Sequence, residues 1–218
     1  MKARTLVRLV SVSIAVMITV AAFTGCQLYN QERGSSQGNE PESPVSDSST
    51  ETQDPSQEPP IGFDNSELPI TPTEELNRTG KPPDEIDITK YRLIVDGLVE
   101  KPLTLSYDQI LAYPTVTKVV LLICPGFFED NAEWTGVPVK TILAEAGISS
   151  DATSVTFHDF DHYAKILPLE VVQQDGVFLA HTVNGEVLPL EHGYPLRLVA
   201  EGRYGSEWVK WVQRIEVQ

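Results

Sequence analysis

Val116-Thr117-Lys118-Val119-Val120-Leu121-Leu122-Ile123-Cys124-Pro125-Gly126 reads as a buried strand that a Pro-Gly pair brings to a stop. Its β-branched and apolar run, Val116 to Ile123, is followed by Cys124 at the strand end. A thiol in that position has two readings. It is either a small core hydrophobe, as free cysteines commonly are, or a reactive group presented where the strand opens.

Outward from this strand, the next signals alternate between strand and short helix. Tyr91 to Val95 reads as a strand that turns at Asp96-Gly97, and Leu103-Thr104-Leu105 as a second. Ser106 with Gln109 makes a capping pattern for a short helix through Leu111. Pro138 at a helix start, Val139, Ile142 and Leu143 at helical spacing, and Gly147 as terminator predict another helix. Ser154 to Phe157 is a strand, and Val177 to Ala180 forms a hairpin with Val187-Leu188 through Asn184-Gly185. Leu196 to Val199 and Val209 to Val217 are the last strands. The class is α+β and rich in β-structure, with no internal repeat.

The chain has 218 residues and a formal net charge of −15. Lys2, Arg4 and Arg8 precede an apolar run, Leu9 to Phe23, that ends in Thr24-Gly25-Cys26. This is a signal peptide rather than part of the fold, and it is shorter than the ~20 residues a bilayer span needs. The small residues before Cys26 resemble the lipobox of bacterial lipoproteins, in which that cysteine is acylated. The expected divisions are a signal peptide over 1–25, a lipid-anchored disordered linker over 26–80, and a folded domain over 81–218. With Cys26 lipidated, Cys124 has no disulfide partner. The linker is rich in Ser, Pro, Gln and acids, which bury too little apolar surface to offset ordering. It holds eleven acids and two bases, and the domain twenty and eleven. Both parts are negative, which argues against nucleic acid and anionic lipid as partners of the domain.

Three segments in order carry a resemblance to a known family. They are Tyr91 to Val99 with Pro102 to Leu105; Cys124-Pro125-Gly126 with Glu133-Trp134-Thr135-Gly136-Val137-Pro138; and Asn184-Gly185 with His192-Gly193-Tyr194-Pro195-Leu196-Arg197-Leu198-Val199. The tail Tyr204-Gly205 with Val209-Lys210-Trp211 continues the match. From about Pro69 to Val217 the chain resembles the molybdopterin-binding domain of the sulfite oxidase family, which includes periplasmic methionine sulfoxide reductase catalytic subunits. The resemblance implies a sulfite-oxidase-type fold of mixed sheets with a few short helices. It implies a molybdenum-molybdopterin cofactor (Moco) whose metal is ligated by the Cys124 thiolate, a soft donor suited to a redox metal. It further implies that His192, Arg197, Gly205, Ser206 and Lys210 bind the cofactor, and that oxygen-atom transfer is the reaction. The substrate class is then a sulfoxide, an N-oxide or a small oxyanion.

Departures from the family pattern set further expectations. His181 stands where family members often carry a catalytic tyrosine, and an imidazole can take over as hydrogen-bond donor. Ser206-Glu207 stands where a basic residue is common, and a carboxylate there is expected to repel a pterin phosphate. Glu74 to Thr79 lacks the usual cofactor-clasping segment, with Asn77 or Arg78 as substitutes. Arg4 and Arg8 are not adjacent, so the signal is not of the twin-arginine type by which cofactor-loaded enzymes are exported. Arg197 and Lys210 could instead be surface charges paired with acids, since Arg197 alternates with Leu196 and Leu198.

Two functions compete on these grounds. One is an extracytoplasmic, membrane-anchored oxidoreductase with a small-molecule substrate; lacking a Cys-x-x-Cys-His haem motif, it needs a separate electron-transfer protein. The other is a cofactor-free binding module that keeps the fold. His158-Asp159-Phe160-Asp161-His162 is a weaker candidate site for zinc or copper, because its turn position explains its polarity equally well.

Overall fold

Alternating inward residues build the first of two five-stranded sheets. The computed structural model describes residues 64–218; the predicted signal peptide, Cys26 and most of the predicted linker lie outside them. β1 (Arg92–Gly97) buries Leu93 and Val95, and β2 (Leu103–Ser106) buries Leu103 and Leu105. β1 also pairs in parallel with β10 (Arg214–Val217), which buries Ile215 and Val217. β5 (Ser154–His158) and β6 (Ala164–Pro168) complete the order β2-β1-β10-β5-β6. The Ser106–Gln109 capping box forms as predicted at the start of α1 (Tyr107–Leu111).

The second sheet places the site. β3 (Val116–Cys124) pairs antiparallel with β4 (Phe128–Pro138) over its whole length, from Val116 opposite Gly136 to Cys124 opposite Phe128. β7 (Val177–Val183) follows β4, and both β8 (Glu186–Val187) and β9 (Arg197–Ala200) pair with β7. Asn184 and Gly185, with φ of 49° and 78°, make the predicted hairpin turn. α2 (Val139–Ala146) buries Val139, Ile142, Leu143 and Ala146 and ends at Gly147, again as predicted. α3 (Leu169–Val172) is a single further turn of helix. The expected α+β, β-rich class is therefore what the chain adopts.

Three expectations need correction. β4, at eleven residues, has no counterpart in the sequence reading, because Asp130, Asn131, Glu133 and Thr135 break its apolar pattern. Asp130 and Asn131 are nevertheless buried, since each is hydrogen-bonded to the segment that precedes β1. The predicted strand over 209–217 is a strand only at Arg214–Val217; Trp211 has a φ of 52° and interrupts it. Residues 64–80, placed in the disordered linker, run along β3 and β4 instead. Thr71 N–H donates to the Asn131 carbonyl at 2.7 Å, Asn77 donates to the Asp130 carboxylate through both N–H and Nδ2, and Leu76 is buried. Composition registers their scarcity of apolar groups but not these polar anchors.

Candidate functional site

The pairing of β3 with β4 ends in the tight turn Pro125-Gly126-Phe127, closed by Phe127 N–H donating to the Cys124 carbonyl at 3.0 Å. This leaves the Cys124 thiol half-buried at the wall of a cleft of about 820 Å³. Gly205, at the start of the 3-10 turn Gly205–Glu207, comes so close that a Cβ on it would stand 2.5 Å from Cys124 Sγ and 2.9 Å from Leu122 Cδ1. A residue without a side chain is what allows the segment to cross over the sulfur.

The cations come from β9 and the extended run after it. Leu198 N–H donates to the Val209 carbonyl and Val212 N–H to the Leu196 carbonyl, so residues 209–212 lie beside β9 and bring Lys210 near Arg197. Gly193, with a φ of 118°, fits against both, where a Cβ would meet Arg197 Cβ at 3.0 Å. Arg197 is 3% exposed, so β9 is buried on both faces and the surface reading of this charge fails. Its Nη1 donates to the His192 carbonyl, its guanidinium lies over the Trp134 and Trp208 rings, and its Nε is buried without a partner. Lys210 is also buried and donates to the carbonyls of Thr79 and Glu191 at 2.7 and 2.8 Å.

Electrostatics follow from this burial. Desolvation, reinforced by Arg197, drops the Lys210 ammonium to about 7 and the His192 imidazole to about 4. Arg197 is lowered to about 10 by burial, with Asp130 and Cys124 opposing. Burial pushes the Cys124 thiol up, against the pull of Arg197 and Lys210. Two buried cations with one orphaned N–H between rings and carbonyls form a receptor for an anion. Lys210 carries its charge only below about pH 7, so anion binding must strengthen as pH falls through that value and fade above it. Millimolar sulfate, dianionic throughout, is expected to raise the melting temperature more at about pH 6 than at about pH 9. In Lys210→Met the difference between the two pH values should vanish; an unchanged difference would remove Lys210 from the anion site.

Of the residues singled out from sequence, Cys124, Arg197, Gly205, Ser206 and Lys210 all line the cleft. His192 does not line it; it lies behind Arg197 and contributes its carbonyl. His181 stands on β7 away from the cleft lining, with its Nε2 buried and unpartnered and its pKa lowered by burial. The structure thus does not bring His181 to the Cys124 thiol. Glu207 also turns from the cleft: its Oε1 accepts from Arg203 Nε and Nη2, which answers the expected repulsion. Asn77 lines the cleft, whereas Arg78 pairs with Glu191 at 3.3 Å. His158 Nε2 contacts Glu216, and Asp159 Oδ1 accepts from the N–H groups of Asp161 and Tyr163; among the described residues no group of His, Cys, Asp and Glu is arranged to hold a metal ion. The sequence reading missed Asp130, Tyr163, Trp208 and the backbone of Thr79, whose roles depend on contacts across long stretches of chain.

Comparison with known proteins agrees with this geometry. The family model for the oxidoreductase molybdopterin binding domain matches residues 79–218. The chain is 32% identical over 148 residues to the uncharacterized oxidoreductase YuiH of Bacillus subtilis, covering 67% of this chain and 75% of that protein. It is 29% identical over 145 residues to the protein-methionine-sulfoxide reductase catalytic subunit MsrP of Gluconobacter oxydans, covering 58% of this chain and 46% of the relative. Among solved structures, the sulfane dehydrogenase SoxCD from Paracoccus pantotrophus matches with a TM-score of 0.57 and 35% identity, over 61% of this chain and 39% of that one. Against a nitrate reductase of Phytophthora infestans, the match spans 21% of the relative's length.

Proposed function

Because the chain belongs to the family of oxidoreductase molybdopterin-binding domains, we propose that it is a molybdopterin-dependent oxidoreductase acting by oxygen-atom transfer on a small substrate. The observation that carries this reading is the meeting of one half-buried thiol with two buried cations in a single cleft. The residues fit the group. Cys124 offers a soft thiolate to the metal, and Gly205 leaves the space beside the sulfur that a Cβ would fill. Arg197, through its orphaned Nε, and Lys210 offer charge to an anionic tail, and Asn77 with the Thr79 backbone forms the adjoining wall.

When bound, the cofactor supplies two-electron oxygen-atom transfer. The chain's own residues prepare for it. Cys124, whose thiol is held protonated by burial, releases its proton to solvent on ligation. Arg197 is fixed between the Trp134 and Trp208 rings, so it presents its charge without reorganising. Phe128, Trp208 and Trp211 line the cleft and limit water there.

Tethering to the outer face of a membrane through lipid on Cys26, and an external electron-transfer protein, complete the proposal. Its support is the sequence alone: the Thr24-Gly25-Cys26 ending and the missing haem motif. The test is molybdenum analysis of full-length protein purified from cofactor-competent cells. About one molybdenum per chain is expected, as one thiolate site per chain requires. Metal-free protein from such cells would overturn the enzyme in favour of a binding module.

A further inference from the structure

The mouth of the cleft differs in chemistry from its buried end. The turn and strand start after Cys124 carry Phe127, Phe128, Glu129 and Asp130, two aromatics and two acids with no base. Phe127 lines the mouth with 89% of its surface exposed, a large cost for a phenyl ring with nothing to cover it. Facing it across the cleft is the β5–β6 loop, which contributes Phe160 and Tyr163 together with Asp159 and Asp161. That loop is held in place. Asp159 Oδ1 accepts from Asp161 N–H at 2.7 Å and Tyr163 N–H at 2.9 Å, and Phe160 meets Tyr91 edge-on. Tyr163 OH donates to the Ser206 carbonyl at 2.5 Å, tying the loop to the segment that crosses the Cys124 sulfur. Asp84 adds a third carboxylate and Lys81 a single cation, while Arg197 and Lys210 lie at the buried end where the cofactor's anionic tail is placed.

We infer that the substrate is an uncharged organic oxide, a sulfoxide or tertiary amine oxide carrying an aromatic or alkyl group, and not an inorganic oxyanion. The apolar part rests on Phe127, Phe160 and Tyr163, and the oxide oxygen points toward Cys124. An anion entering the same path passes Asp84, Asp159 and Asp161, which lower its local concentration. The inference rests on the oxygen-transfer reading above and narrows it. In the reductive direction the S–O or N–O bond breaks and sulfur or nitrogen gains two electrons. Oxygen leaves as water with two protons from solvent, and the electrons come from two equivalents of a one-electron donor.

The test compares methyl phenyl sulfoxide with its 4-carboxylate and with nitrate, using reduced viologen dye as donor and the molybdenum-loaded protein. The kcat/KM of the neutral sulfoxide should exceed that of its carboxylate at least about tenfold at low salt, and the gap should narrow as ionic strength rises. Asp159→Asn with Asp161→Asn should close most of the gap, since the amide that replaces the first carboxylate still offers its Oδ1 to the loop. Phe127→Ala should lower kcat/KM for the phenyl sulfoxide about fivefold, the scale of one aromatic contact. Faster turnover of nitrate or of the carboxylate by loaded protein would overturn the inference and leave the oxygen-transfer reading standing. Should the protein hold no molybdenum, that reading fails, and Trp208 and Trp211 fluorescence decides the inference separately. Quenching by the neutral sulfoxide at lower concentration than by its carboxylate supports it; equal quenching, or none, overturns it.

Discussion

Cys124→Ser is expected to strip the domain of molybdenum while leaving it folded. The substitution keeps size and backbone, so the turn bond from Phe127 N–H and the pairing with Phe128 survive. The thiol is only half-buried and sits at a strand end, so exchanging S–H for O–H removes little packing, and the stability change should stay within about 1 kcal/mol. The donor changes far more. A soft, polarizable thiolate becomes a hydroxyl that does not ionise near neutral pH, and neither Arg197 nor Lys210 can replace a ligand. Molybdenum per chain should fall at least about tenfold, the lower end of what even outer-shell changes cause. Elemental analysis and thermal unfolding on one preparation decide the matter. Unfolding of the serine variant, with no metal in either form, would identify Cys124 as a core residue.

Local signals made part of this architecture legible. The capping box at Ser106, the Gly147 stop and the Asn184-Gly185 turn depend on a few adjacent residues, and each forms where the sequence places it. β4 was opaque because its polar residues are buried against a distant partner: Asp130 by Asn77 and Asn131 by Leu68, both more than fifty positions away. The same physics hid the role of residues 64–80. Their polar side chains read as solvated until β3 and β4 supply acceptors and donors for them.

The site divides along the same line. Cys124, Arg197, Gly205, Ser206 and Lys210 were named from short motifs, and the fold gathers them around one cleft. Period-two alternation misplaced Arg197, predicting an outward side chain, because β9 is covered on both faces and its neighbours Leu196 and Leu198 are buried too. His181 was named for its place before Asn-Gly, yet β7 runs through the sheet interior and keeps that imidazole from the cleft lining. Glu207 looked obstructive because the sequence does not show that Arg203, four residues earlier, holds its carboxylate.

Gly205→Ala is expected to be nearly as damaging to cofactor loading as loss of the thiol itself, by a steric route. The Gly205 backbone has no left-handed φ, so alanine costs nothing in conformation there; the whole effect comes from space. The new Cβ would stand 2.5 Å from Cys124 Sγ, 2.9 Å from Leu122 Cδ1 and 3.4 Å from the Ile123 carbonyl. The Leu122 methyl is the end of a side chain, but it is buried and has little room to turn. The sulfur must therefore swing away, or the turn carrying Gly205 must lift and strain the Tyr163–Ser206 bond. Overpacking of this kind costs roughly 1–3 kcal/mol. Displacing a ligand atom by an ångström should lower molybdenum content at least about tenfold. A double-mutant cycle separates this from general damage. In Cys124→Ala the sulfur is gone, so adding Gly205→Ala should cost clearly less stability than it does beside the native thiol. Strict additivity in that cycle would show that the two residues do not press on one another, and the close passage of Gly205 over the sulfur would lose its role in the site.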